Sequence, residues 1–155
     1  MRRLLAAVAI SLALILAQGG ALRADYENVE NELLDAAFHG RTEAVKKLLE
    51  KGADPNARDD IGQTALMGAA RNGHVKTVIV LLDAGAAADV KLHATHWTAL
   101  LLAAFYGHAK VVKALLAHGA DPKVKDSEGK TALKWATIRG HGQVVEVLEA
   151  AGVRE

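Results

Sequence analysis

The stretch GADPNARDDIGQTALMGAARNGHVKTVIVLLDAG (residues 52–85) holds one complete unit of a pattern that recurs along the chain. Thr64 opens a run of good helix formers, Gly73 closes it, apolar residues at Val78, Leu81 and Leu82 follow at helical spacing, and Gly85 ends the unit. Moving outward in both directions, Gly40, Gly73, Gly107 and Gly140 recur at spacings of 33, 34 and 33 residues. Twelve residues after each comes a second glycine (Gly52, Gly85, Gly119, Gly152), and seven before each comes a leucine (Leu33, Leu66, Leu100, Leu133). A fixed period of this size is the mark of stacked repeats, each too small to bury its own apolar face.

Each unit has a physical reading. Thr64, Thr98 and Thr131 are capping hydroxyls ahead of short first helices rich in alanine and leucine. Alanine pairs let neighbouring helices approach closely, and the glycine that follows supplies the left-handed backbone that ends a helix. Val45, Leu48 and Leu49, then Val78, Leu81 and Leu82, then Val111, Val112, Leu115 and Leu116, form one stripe of a second helix. Gly-Ala-Asp-Pro at 52–55 and 119–122 stops that helix. Asp59-Asp60-Ile61-Gly62 and Asp126-Ser127-Glu128-Gly129 have the placement of a type I turn. The expected unit is helix, turn, helix, projecting loop.

The run Gly52-Ala53-Asp54-Pro55-Asn56-Ala57-Arg58-Asp59-Asp60-Ile61-Gly62-Gln63-Thr64-Ala65-Leu66, with Gly73-His74, Val78 and Leu81-Leu82 after it, closely resembles the ankyrin-repeat family. The resemblance covers about residues 27–155. It implies an all-α solenoid of stacked helix-turn-helix units with projecting β-hairpin-like loops, the repeats falling near 27–59, 60–92, 93–126 and 127–155. It also implies that His74, His108 and His141 serve the repeat's own turn hydrogen bonds. One departure stands out: the family's Thr-Pro-Leu-His reads Thr-Ala-Leu followed by Met67, Leu101 or Lys134, so a histidine that ties adjacent turns is missing. Both ends read as caps. Asn31 replaces the threonine in an acidic first helix bearing Glu27, Glu30, Glu32 and Asp35, while Thr137 and Glu149 replace an alanine and a leucine in the fourth unit.

Ahead of the repeats, Arg2 and Arg3 precede an apolar run from Leu4 to Ala17, which gives way to small residues around Gly19, Ala21 and Ala24. That is the pattern of a secretory signal peptide over residues 1–24, with a retained anchor as the alternative; 14 residues are short for a membrane span. The expected location of the domain, residues 25–155, is periplasmic or secreted. The leader holds three of the 19 basic residues (Arg2, Arg3, Arg23) and no acid, so the remainder carries 16 basic against 18 acidic groups. A net charge of −2 argues against a nucleic-acid partner. The chain has no cysteine, which excludes disulfides, thiol nucleophiles and thiolate metal sites.

By the same resemblance, partners bind the concave side, built from loop tips and the outer face of the first helices. The positions that the repeat leaves free there precede the threonine (Gln63, Trp97, Lys130) or the first glycine of each unit (Phe38 and His39, Arg71 and Asn72, Phe105 and Tyr106, Ile138 and Arg139). Of only six aromatics, Trp97, Phe105 and Tyr106 all fall at free positions of the third unit. Its loop, Val90 to Trp97, is one residue longer than its counterparts and lacks the turn glycine. A protein-binding centre is therefore expected at Trp97, Phe105, Tyr106 and His96, flanked by Arg71, Asn72 and Arg139, with Phe38 and His39 as outlying members. In the competing reading, Trp97 and Phe105 simply pack over the irregular loop.

Catalysis finds little support. Beyond the leader the only serine is Ser127, in a turn, and no phosphate-cradling glycine loop is present. His93 and His96, with Asp89 as a possible third ligand, invite a metal reading, but no metal or cofactor is assigned. The expectation is a monomeric, non-enzymatic module that binds another protein as an adaptor or inhibitor. The alternative is a periplasmic stress or protective factor that assists an exported enzyme, with metal or haem handling.

Overall fold

The computed structural model describes residues 28–154, so the leader read at 1–24 lies outside them. Eight helices are described. The first, α1, covers 28–38; the others are α2 (Thr42–Glu50), α3 (Ala65–Arg71), α4 (Val75–Asp83), α5 (Ala99–Phe105), α6 (Ala109–Ala117), α7 (Ala132–Arg139) and α8 (Gly142–Ala150). They form two layers. First helices pack on first helices (α3 on α5, α5 on α7) and second helices on second helices (α2 on α4, α4 on α6, α6 on α8). This is the solenoid that the period implies.

The caps act as expected from the hydroxyls. Thr64 Oγ1 accepts from the Met67 N–H at 3.3 Å, Thr98 Oγ1 from Leu101 at 3.3 Å and Thr131 Oγ1 from Lys134 at 3.2 Å. Asn31 has no such role, because α1 already runs from residue 28 and places Asn31 inside the helix. Between the layers lies a continuous core of buried alanine, leucine and valine, including Ala69 and Ala70 of α3, Ala103 and Ala104 of α5, Val78, Leu81, Val111 and Leu115. Met67 and Leu101, where the family's motif has histidine, are buried in it.

The Gly-His step differs from its expected role. Its histidines do not serve their own turn; each ring reaches back to the preceding unit. The Nε2–H of His74 donates to the Phe38 carbonyl (3.1 Å), that of His108 to Arg71 (2.9 Å) and that of His141 to Phe105 (2.9 Å). Each acceptor lies at the end of a first helix, where carbonyls lack helical partners. The same contact explains the glycine. At Gly73, φ is +75° and an added Cβ would stand 2.6 Å from His108 Nδ1, so both the backbone and the neighbouring ring exclude a side chain.

The loops are hairpin-like only in part: among the described residues the sole β contact is an isolated antiparallel bridge between Arg58 and Thr64. Side chains at equivalent loop positions tie one unit to the next. Asn56 Oδ1 accepts from the Ala87 N–H at 2.7 Å, and Asp89 Oδ1 accepts from the Asp121 N–H at 3.0 Å. In the fourth unit Thr137 and Glu149 are exposed, as their polar character requires.

Candidate functional site

The irregular third loop sets the site. In the regular loops the N–H of Asp59 meets the Gln63 carbonyl and that of Asp126 meets Lys130, at 3.1 and 3.0 Å. In the third, the N–H of Leu92 meets the Trp97 carbonyl at 3.0 Å, so the extra residue is absorbed inside the tip. His96 stands where the other loops have Gly62 and Gly129, and takes φ +56°, the only positive value of a non-glycine residue among those described. Leu92 also replaces the turn aspartate, and hydrogen bonds to adjacent loops compensate. The N–H of His93 donates to the Ile61 carbonyl at 3.1 Å, and that of Ser127 to Thr95 at 2.9 Å. The third loop is thus fastened on both sides, and Trp97 leaves it immediately before the Thr98 cap.

Trp97 then enters an aromatic group. Its ring centroid lies 4.9 Å from Phe105 and 5.4 Å from Trp135, while Phe105 lies 5.2 Å from Trp135 and 5.1 Å from Tyr106. These are edge-on or tilted contacts, the arrangement that ring quadrupoles favour. Cations cover the rings: Lys130 Nζ is 4.3 Å from the Trp135 centroid, and the guanidinium carbons of Arg139 and Arg71 are 4.4 and 5.5 Å from Phe105 and Tyr106. Trp97, Phe105 and Trp135 are half-buried, and Tyr106 is exposed.

Asp126 anchors the group from beneath. Its Oδ2 accepts from the Trp135 indole N–H at 2.7 Å, and its Oδ1 accepts from the backbone N–H groups of Glu128 and Lys130, both at 2.9 Å. Burial by itself pushes this carboxyl's pKa up. The Lys130 N–H, the indole and the Glu128 N–H outweigh that and hold it below the usual aspartate value.

Of the residues singled out from sequence, the structure brings together Trp97, Phe105, Tyr106, Arg71 and Arg139. Trp135, with Lys130 over it, was not among them. The available signal was its register: Trp135 lies four residues after Thr131, the place held by Gly68 and Leu102 in the second and third units. His96 is exposed at the loop tip. Asn72 is exposed but ties the first two units together, its Nδ2 donating to the carbonyls of Phe38 at 3.0 Å and Gly68 at 3.2 Å. Phe38 and His39 belong to the first unit, where their rings pack on each other at 5.3 Å and His39 Nδ1 lies 3.1 Å from Asp35. Asp35 also pairs with Arg41.

The metal reading gathers no ligand set. His93 lies against Gly62, the Asp89 carboxylate accepts from Asp121, and among the described residues no three histidine, aspartate or glutamate side chains converge. Nor is any described helix long and apolar enough to cross a membrane.

Comparison with known proteins agrees with this architecture. The sequence matches the family described as ankyrin repeats (three copies) over residues 33–126 and again over 87–154. It is 41% identical over 64 residues to human ankyrin repeat domain-containing protein 39, covering 41% of this chain and 35% of that one. It is 34% identical over 108 residues to mouse ankyrin repeat domain-containing protein 63, covering 70% of this chain and 19% of that one. Zebrafish neurogenic locus notch homolog protein 1 matches at 32% over 127 residues, 81% of this chain and 5% of that protein. The chain thus spans about a third or less of the length of these relatives. Two overlapping matches that together cover most of the chain, on a stack of helix pairs in the same register, place it in the ankyrin-repeat family, whose repeats imply a protein–protein interaction module.

Proposed function

We propose that this chain is an exported, monomeric and non-catalytic module that acts as an adaptor or inhibitor by docking another protein along the row formed by Trp97, Phe105, Trp135 and Tyr106. The observation that carries the reading is this aromatic group, mounted where the repeat needs no large side chain and bordered by arginines. Docking surfaces concentrate their energy in such aromatic and arginine anchors, each worth about 2 kcal/mol or more on truncation. Export rests on the leader pattern at residues 1–24. The metal- or haem-handling alternative, read at His93 and His96, draws no support: the His93 ring lies against Gly62, His96 is exposed, and among the described residues no three histidine, aspartate or glutamate side chains converge.

The test places a photo-crosslinking side chain at position 106, or at position 79 on exposed Ile79 of α4, in the exported chain. Partner adducts are expected from 106 and not from 79, and they should disappear in a Trp97→Ala, Tyr106→Ala variant whose helical circular dichroism is retained. Adducts from 79 alone, or adducts at 106 indifferent to the double variant, would move the docking surface elsewhere. Loss of stability in Trp97→Ala with partner binding unchanged would support the packing reading instead.

A further inference from the structure

Building on the docking surface proposed above, we infer that the partner element is acidic: an extended peptide segment whose carboxylates are taken by Arg71 and Arg139 while its apolar side chains lie along Tyr106 and Ile138. Two arginines stand on adjoining rings, Arg139 over Phe105 and Arg71 over Tyr106, and the two ring centroids are 5.1 Å apart. Among the described residues neither arginine has a carboxylate within ion-pair distance. A guanidinium stacked on a ring spends its flat face there and keeps its N–H edge for a planar anion, which a carboxylate fits in bidentate fashion.

The surrounding charge agrees. From the second to the fourth unit, the positions before each threonine and before each first glycine hold Arg71, Lys130 and Arg139 and no acid. The acids of the loop that carries Lys130 are already occupied: Glu128 pairs with Lys130, and buried Asp126 accepts from the Trp135 indole. Tyr106 is 40% exposed and Ile138 53% exposed, so apolar surface lies beside the unpaired cations. Neither guanidinium has an anion of its own, and an acidic segment supplies one to each as it binds. A nucleic-acid strand fits less well, because a phosphate backbone calls for a continuous basic track, and the lysines of the second helices are interspersed with acids.

Trp97 and Trp135 are the chain's only tryptophans and both lie in the aromatic group, so intrinsic fluorescence reads the surface directly. The full chain is titrated with short unstructured peptides of matched leucine and tyrosine content in which the remaining positions are glutamate, glutamine or lysine, and with oligothymidylate. The expected result is binding of the glutamate peptide about tenfold tighter than the glutamine peptide, weakening with salt, and no binding of the lysine peptide. Arg71→Gln with Arg139→Gln should reduce the glutamate peptide to the affinity of the glutamine peptide without altering the latter. Equal affinities, or indifference to the double arginine variant, would overturn the acidic partner. Tighter binding of oligothymidylate than of the glutamate peptide, lost in the same variant, would overturn it in favour of nucleic acid. If the glutamine peptide binds as well as the glutamate one and Trp97→Ala with Tyr106→Ala abolishes both, only the acidic inference fails and the docking surface stands. Silence from every peptide refutes the inference, and silence together with absent adducts from position 106 refutes both.

Discussion

Asp126 shows how much one side chain can hold. It caps its own turn through two backbone N–H groups and fixes the Trp135 indole through its second oxygen. Because it is buried and fully used, Asp126→Asn should cost about 2 kcal/mol in urea denaturation: an amide can still accept from the turn but presents N–H, not oxygen, to the indole. The pH dependence follows from the lowered pKa of the folded state. The carboxylate's contribution is complete at neutral pH, begins to fade as pH falls past the ordinary aspartate value of about 3.9, and is gone below the folded value. The variant should lose that part of the acid sensitivity, and a midpoint that falls equally in both proteins on acidification would refute the assignment. The turn role of Asp126 was legible in sequence from its spacing to Gly129. The link to Trp135 was not, because it depends on α7 turning an indole back toward the loop, and no period records that.

At the scale of an element, the third loop separates what counting can reveal from what it cannot. The extra residue and the absent glycine are visible in the sequence, and they rightly mark this loop as different. What replaces them is visible only in three dimensions: a left-handed His96, and backbone bonds to the loops on either side. An L-residue in that conformation costs about 1–2 kcal/mol, and glycine's greater freedom in the unfolded chain returns about 0.5–1 kcal/mol of that difference. His96→Gly should therefore stabilise the chain by about 0.5 kcal/mol. The reverse experiment is Gly62→Ala in the preceding loop, where φ is +81° and a Cβ would stand 2.7 Å from His93 Cδ2. It should cost about 2 kcal/mol or more. If His96→Gly lowers the urea midpoint, the imidazole at the tip makes contacts that outweigh its backbone strain.

Across the whole molecule, stability passes between neighbouring units in a line, so damage at one junction need not reach the far end. Gly68 offers a way to test this. In the interior of α3 it faces α1, and an added Cβ would sit 3.4 Å from Phe38 Cα, an ordinary contact. Gly68→Ala should accordingly stabilise the chain by up to about 1 kcal/mol through helix propensity. Gly68→Leu should act differently, because the rest of that side chain has to wedge α1 away from α3 at a cost of about 1–3 kcal/mol. Both tryptophans lie in the third and fourth units and are blind to that junction, whereas far-ultraviolet circular dichroism sees every helix. In the unaltered chain the two signals should melt together in urea. In Gly68→Leu the dichroism should begin to fall first while the tryptophan signal keeps its midpoint, because the first unit peels away from a stack that remains whole. Coincident loss of both signals at a lower midpoint would mean that the four units melt as one body, with coupling between them too strong for one junction to yield alone.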